Sequence, residues 1–99
     1  MSFIETAKRT ITLEARALDH LASQLDHQFD HACELCLACA GRVVVTGMGK
    51  SGHIGHKIAA TLASTGTPAF FMHPAEASHG DLGMLTESDV VLAISNSGT

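Results

Sequence analysis

Ninety-nine residues, 45% hydrophobic and 16% charged, suit one ordinary globular core: too few for two cores and too apolar for a disordered chain. The formal net charge is −4, and the first forty residues contribute −3 (3 − 6: Lys8, Arg9 and Arg16 against Glu5, Glu14, Asp19, Asp26, Asp30 and Glu34), which argues against a nucleic-acid-binding arm. No apolar run approaches the ~18 residues of a membrane span and no signal-type segment opens the chain, so a soluble, cytoplasmic protein with no membrane partner is expected.

Ser2-Phe3-Ile4-Glu5 reads as a capping box and predicts a helix starting there. Ile4, Ile11, Leu18 and Leu25 recur every seven residues, with Ala7, Leu21 and Ala22 beside them, giving an apolar stripe along about six helical turns. Such a stripe docks against a domain or a subunit. His20 and His27, also seven apart, fall off it and read as solvated. A second helix is expected from Asp30 to Ala40, with Gly41 in the left-handed position that follows a helix. It carries Cys33, Cys36 and Cys39, an odd number crowded into seven residues and unlike a disulfide framework. With i, i+3, i+6 spacing they offer poor tetrahedral geometry, so they read as buried, inert thiols and not as a zinc site.

The pattern then changes. Arg42-Val43-Val44-Val45-Thr46 is a β-branched run leading into glycines, the mark of a buried parallel strand. Ile54, Ile58, Ala59 and Leu62 put one apolar face on a following helix, which should stop near Gly66-Thr67-Pro68. Ala69-Phe70-Phe71-Met72 forms a second strand, Ala75 to Ser88 an irregular connection, and Asp89-Val90-Val91-Leu92-Ala93-Ile94 a third strand. The order predicts an α/β fold: N-terminal helices over 1–41, then over 42–99 part of a doubly wound parallel sheet. The chain ends just after the third strand, before the helices that usually cover such a sheet, and so reads as a fragment. There are no internal repeats and no low-complexity tracts.

Gly47-Met48-Gly49-Lys50-Ser51-Gly52 sits where a strand meets a helix, and there unpaired amides and the helix dipole attract anions. The chain as a whole is acidic, so an anionic ligand needs a local cation, and Lys50 supplies one. A Walker A loop would need glycine where Val44 stands. The G-x-G-x-x-G pattern of dinucleotide sites is matched literally, but Phe71, Met72 and His73 stand where the ribose-binding acid belongs. A tight turn with a surface lysine and no ligand is the remaining alternative. Ser95-Asn96-Ser97-Gly98-Thr99 offers three hydroxyls, an amide and a glycine at the carboxyl end of the third strand, where open α/β sheets bind ligands. The two loops could close on one phosphate from both sides. His53, His56 and His73 fall near them, with no carboxylate or cysteine at metal-ligand spacing.

The pair G-M-G-K-S-G and I-S-N-S-G resembles the SIS (sugar isomerase) domain, an α/β/α sandwich. The stretch Ser64-Thr65-Gly66-Thr67-Pro68, with His73-Pro74-Ala75-Glu76-Ala77-Ser78-His79-Gly80-Asp81-Leu82-Gly83-Met84, resembles the D-arabinose-5-phosphate isomerases of bacterial lipopolysaccharide synthesis. The resemblance runs from about Ala32 to Thr99. It implies an aldose–ketose isomerase interconverting D-ribulose 5-phosphate and D-arabinose 5-phosphate, without a required organic cofactor and usually tetrameric; the histidine spacing above leads us to expect no metal. By match to the family's loops, Gly49, Ser51, Gly52, Ser95, Asn96, Ser97, Gly98 and Thr99 would hold the phosphate and substrate, while Lys50 and His79 match catalytic positions of the family's active site, where either suits polarising the carbonyl or opening the sugar ring. It further implies that the carboxylate base and another histidine follow the serine-rich loop, which would leave this stretch inactive by itself. Glu76 and Asp81 are the carboxylates nearest His79. A non-catalytic sugar-phosphate sensor is the alternative; it would want a basic DNA-binding segment, which the acidic first forty residues do not supply.

Overall fold

The computed structural model of the chain describes residues 2–98. The chain divides into two compact units, Met1–Ala32 and Cys33–Thr99. The first is dominated by α1 (Phe3–Gln24), capped as expected: the Glu5 N–H donates to Ser2 Oγ at 3.1 Å and the Ser2 N–H donates to Glu5 Oε2 at 3.3 Å. No residue of α1 is buried; Ile4, Ile11 and Leu18 are 68%, 65% and 67% exposed.

Helix α2 (His27–Leu37) begins three residues before the expected Asp30 and ends before Ala40. Asp26 explains the early start, because its Oδ1 accepts the Gln28 N–H at 2.9 Å and so satisfies an orphan amide. Gly41 is not in a left-handed conformation, contrary to expectation. It is glycine because a Cβ there would collide with the Asp89 carboxylate and sit 2.8 Å from the Ser88 carbonyl oxygen. The cysteines are free, as expected, but not buried: Cys33 is exposed, and Cys36 and Cys39 are half-buried against the core. The Cys39 thiol donates to the Ser88 carbonyl at 3.3 Å.

The second unit is built on β1 (Val43–Gly47), α3 (Gly49–Ser64), β2 (Ala69–Phe71) and β3 (Val90–Ile94). The strands form one parallel sheet in the order β2-β1-β3. The central strand places Val43, Val44 and Val45 at or below 1% exposure, and each contributes roughly 2 kcal/mol by leaving water. Val43 and Val45 pack with Ala59, Ile58 and Leu62 of α3 and with Phe71, Leu92 and Ile94 of the flanking strands. Helix α3 ends in a Schellman motif: the Thr67 N–H reaches the Leu62 carbonyl at 2.9 Å, the Gly66 N–H reaches Ala63 at 3.3 Å, and Gly66 has φ 101°.

The expected irregular connection from Ala75 to Ser88 instead contains a short helix, α4 (Pro74–Ser78), and a 3-10 turn over Asp81–Met84. His73 caps α4 and Pro74 opens it, a combination that lets five residues turn helical. Two ties anchor the segment to β1. The Arg42 guanidinium donates to the Met84 carbonyl at 3.0 Å while lying 4.5 Å from the centre of the Phe70 ring, and Asp89 accepts the Arg42 N–H at 2.7 Å and the Thr86 N–H at 2.8 Å. Those two backbone donors hold the Asp89 carboxyl below its ordinary range.

Candidate functional site

After β1 the chain turns through α3 to β2 on one side of the sheet, then returns on the other side as β3. The strand order therefore reverses at β1, and a crevice opens beyond the carboxyl ends of β1 and β3. Gly47 is in register with Ile94, so the glycine loop and the serine-rich loop leave the sheet side by side. Between them lies a cleft of about 400 Å³ lined by Thr46, Gly47, Met48, Pro74, Ala93, Ile94, Ser95 and Ser97.

The glycines have distinct reasons. A Cβ on Gly47 would meet the Ile94 carbonyl oxygen at 3.0 Å and the Ser51 backbone at 3.1 Å, and one on Gly52 would meet the Gly47 carbonyl oxygen at 2.8 Å. Both let α3 start directly against β1. Gly49 is needed for another cause: its φ is 58°, in the left-handed region that side chains disfavour. The residue before α3 is Met48, whose side chain makes no capping hydrogen bond, and the first α3 bond to a carbonyl is that of Gly52 N–H to Met48 at 3.2 Å. The amides of Gly49, Lys50 and Ser51 thus have no partner within the helix and face the end of its dipole, an arrangement suited to an anion.

On the other side Ser95 Oγ accepts the Gly98 N–H at 2.8 Å, and Gly98 takes φ 80°, so the loop after β3 folds back on itself. Ser95 and Ser97 line the cleft; Asn96 and Gly98 are exposed; Thr99 lies outside the described residues. Lys50 is exposed and Ser51 half-buried in the first turn of α3, and His79 is exposed at the end of α4. Neither Lys50 nor His79 lines the cleft, and Glu76 and Asp81 do not line it either.

A second cleft of about 220 Å³ lies against the glycine loop, lined by Gly49, Gly52, His53, His56, Phe71 and His73. His56 stacks on Phe71 with ring centres 3.8 Å apart, and His73 Nδ1 accepts the Ala75 N–H at 3.0 Å. Among the described residues no three His, Cys, Asp or Glu side chains are arranged to hold a metal. A further groove of about 410 Å³ runs along α3, lined by His53, Ile54, Lys57, Ile58, Thr61 and Leu62. The lining residues outside the expected set are Thr46, Gly47, Met48, Pro74, Ala93 and Ile94. The signal for Pro74 was present in His73-Pro74 followed by Glu76, an N-terminal helix pattern.

Comparison with known proteins decides the family. The SIS domain model matches residues 36–99. The chain belongs to the SIS domain family. Arabinose 5-phosphate isomerase KdsD of Pseudomonas aeruginosa is 67% identical over 99 residues, spanning 100% of this chain and 30% of that protein. KdsD of Yersinia pestis is 59% identical over 98 residues, again 30% of that protein. An Escherichia coli CFT073 protein solved in complex with arabinose 5-phosphate superposes with a TM-score of 0.88 at 43% identity, covering 97% of this chain and 53% of that one. A Listeria monocytogenes structure gives 0.91 at 29% identity, covering 100% and 54%. The SIS chain thus spans about a third of the curated relatives and half of the solved neighbours. Among its described residues no helix is long and apolar enough to cross a membrane.

Proposed function

We propose that the protein carrying this SIS chain is an aldose–ketose isomerase that interconverts D-arabinose 5-phosphate and D-ribulose 5-phosphate. The observation that carries the reading is the juxtaposition of the two loops at one switch point, Gly47 beside Ile94, with uncapped amides on one side and serine hydroxyls on the other. Support comes from the names of relatives 67% and 59% identical to this chain and from the arabinose 5-phosphate bound in a structural neighbour.

In this reading the phosphate lies between the Gly49–Ser51 amides and Ser95–Ser97, with the hydroxyls of Ser51, Ser95 and Ser97 and the side chain of Asn96 adding polar groups. Gly49, Gly52 and Gly98 keep the backbone close. The sugar carbons then reach toward Lys50 and His79. A carboxylate base, which the family resemblance puts after the serine-rich loop, removes the proton from C2 of the aldose while the C1 carbonyl oxygen gains one, forming an enediol. A proton returned to C1, with loss of the proton on O2, yields the ketose. Lys50 stabilises the oxyanion that develops at C1 or C2, and His79 moves a proton between the two oxygens.

We further infer that the protein assembles as a homo-oligomer through apolar surface such as the Ile4, Ile11 and Leu18 face of α1. Turnover of arabinose 5-phosphate, followed as ribulose 5-phosphate formation, tests the function. Binding without turnover would turn the reading to a sugar-phosphate sensor.

A further inference from the structure

His73 is an unusual cap. Helix N-caps are normally short side chains whose oxygen reaches a first-turn amide, yet here an imidazole nitrogen accepts the Ala75 N–H at 3.0 Å. The residue has extended geometry (φ −71°, ψ 136°), and its carbonyl accepts the Ala77 N–H at 3.0 Å, so both its side chain and its backbone hold the first turn of α4. It is fixed from the other direction too. Met72, immediately before it, is 5% exposed and donates its N–H to the Val45 carbonyl at 2.8 Å, continuing the pairing of β2 with β1.

Two consecutive residues therefore line the clefts on the two flanks of the glycine loop. The His73 ring lines the cleft shared with Gly49 and Gly52, and Pro74 lines the cleft shared with Gly47, Met48, Ser95 and Ser97. A helix of five residues has little stability of its own, so its order rests on its cap, on Pro74 and on packing.

We propose that His73 is a positioning residue of the sugar-phosphate site: by capping α4 it holds Pro74 as a wall of the cleft and sets the segment leading to His79. The inference rests on the isomerase reading above. Without the cap, α4 loosens and must be re-ordered each time substrate binds. That cost is the same in the ground and transition states, so it raises KM and leaves kcat nearly unchanged.

The test compares wild type, His73→Ala and His73→Asn of the whole protein that carries this chain, with arabinose 5-phosphate as substrate. Asparagine can accept the same amide bond with a shorter side chain. His73→Ala should raise KM about fivefold, the loss expected for one cap, with kcat within about twofold of wild type. His73→Asn should recover most of that loss. Two results overturn the proposal: an unchanged KM in His73→Ala, or a KM in His73→Asn as high as in His73→Ala, which would assign the effect to the ring and not to the cap. A wild-type protein with no turnover would instead overturn the isomerase reading, so the two failures are separable. Circular dichroism on all three proteins keeps loss of fold apart from loss of the cap.

Discussion

Replacing Gly52 with alanine tests how closely α3 must meet β1 for the loop to exist. The new Cβ would lie 2.8 Å from the Gly47 carbonyl oxygen, with Gly47 C at 3.4 Å and Phe71 Cζ at 3.6 Å. Ordinary contact begins near 3.4 Å, so helix and strand must separate by about 0.6 Å (3.4 − 2.8) at their closest point. The offending atom is backbone on the central strand, in register with Ile94, and cannot rotate away. Overpacking of this kind costs about 3 kcal/mol, and alanine's better helix propensity returns about 1 kcal/mol, leaving a net loss of about 2 kcal/mol. Thermal unfolding of the chain should show a fall in Tm of roughly 8–16 °C. Stabilisation by added arabinose 5-phosphate should shrink as well, because the displaced turn carries the Gly49–Ser51 amides. Gly83→Ala is the control, since a Cβ there meets nothing within 4 Å. A Gly52→Ala protein with the Tm of wild type or above, and with full ligand stabilisation, would refute the close-approach argument.

Three further outcomes follow from the same geometry. Gly49→Ala meets no atom within 4 Å but places a side chain at φ 58°, so it should lose about 1–2 kcal/mol in urea unfolding through backbone strain alone; an unchanged midpoint would remove that strain from the account. Asp89→Asn tests a carboxylate whose folded pKa is depressed by two backbone donors. The stabilisation such a group provides is fully present above the unfolded carboxylate value of about 3.9 and is lost as pH falls through the lower folded value. The gap in stability between wild type and Asp89→Asn should therefore be widest near neutral pH and close at strongly acidic pH; a gap independent of pH would contradict this. Cap deletion at His73 should separate KM from kcat, with steady-state kinetics on arabinose 5-phosphate as the readout.

The fold was largely legible because its determinants are local. The Ser2 and Glu5 pair marks the start of α1, the run Val43-Val44-Val45 can only be a strand buried on both faces, and Gly66-Thr67-Pro68 ends α3 where a left-handed glycine allows it. What escaped depends on contacts distant in sequence. Gly41 looks like a helix-ending glycine until Ser88 and Asp89 are brought against it, nearly fifty residues on. Helix α4 was hidden because His73 is not a usual cap and because five residues give no periodicity to read. At the site, the two loops could be named from strand ends, but their adjacency required the pairing of β1 with β3, and Pro74 joins the cleft only because α4 exists.

The central claim is that these two loops hold a phosphosugar whose carbons are isomerised beside Lys50. The most direct measurement is the initial rate of ribulose 5-phosphate formation from arabinose 5-phosphate by the purified protein carrying this chain, compared with Lys50→Ala at equal folded concentration. Saturable turnover in wild type, reduced about a hundredfold or more in Lys50→Ala, is the predicted result. No turnover in wild type, or an undiminished rate in Lys50→Ala, would contradict the account.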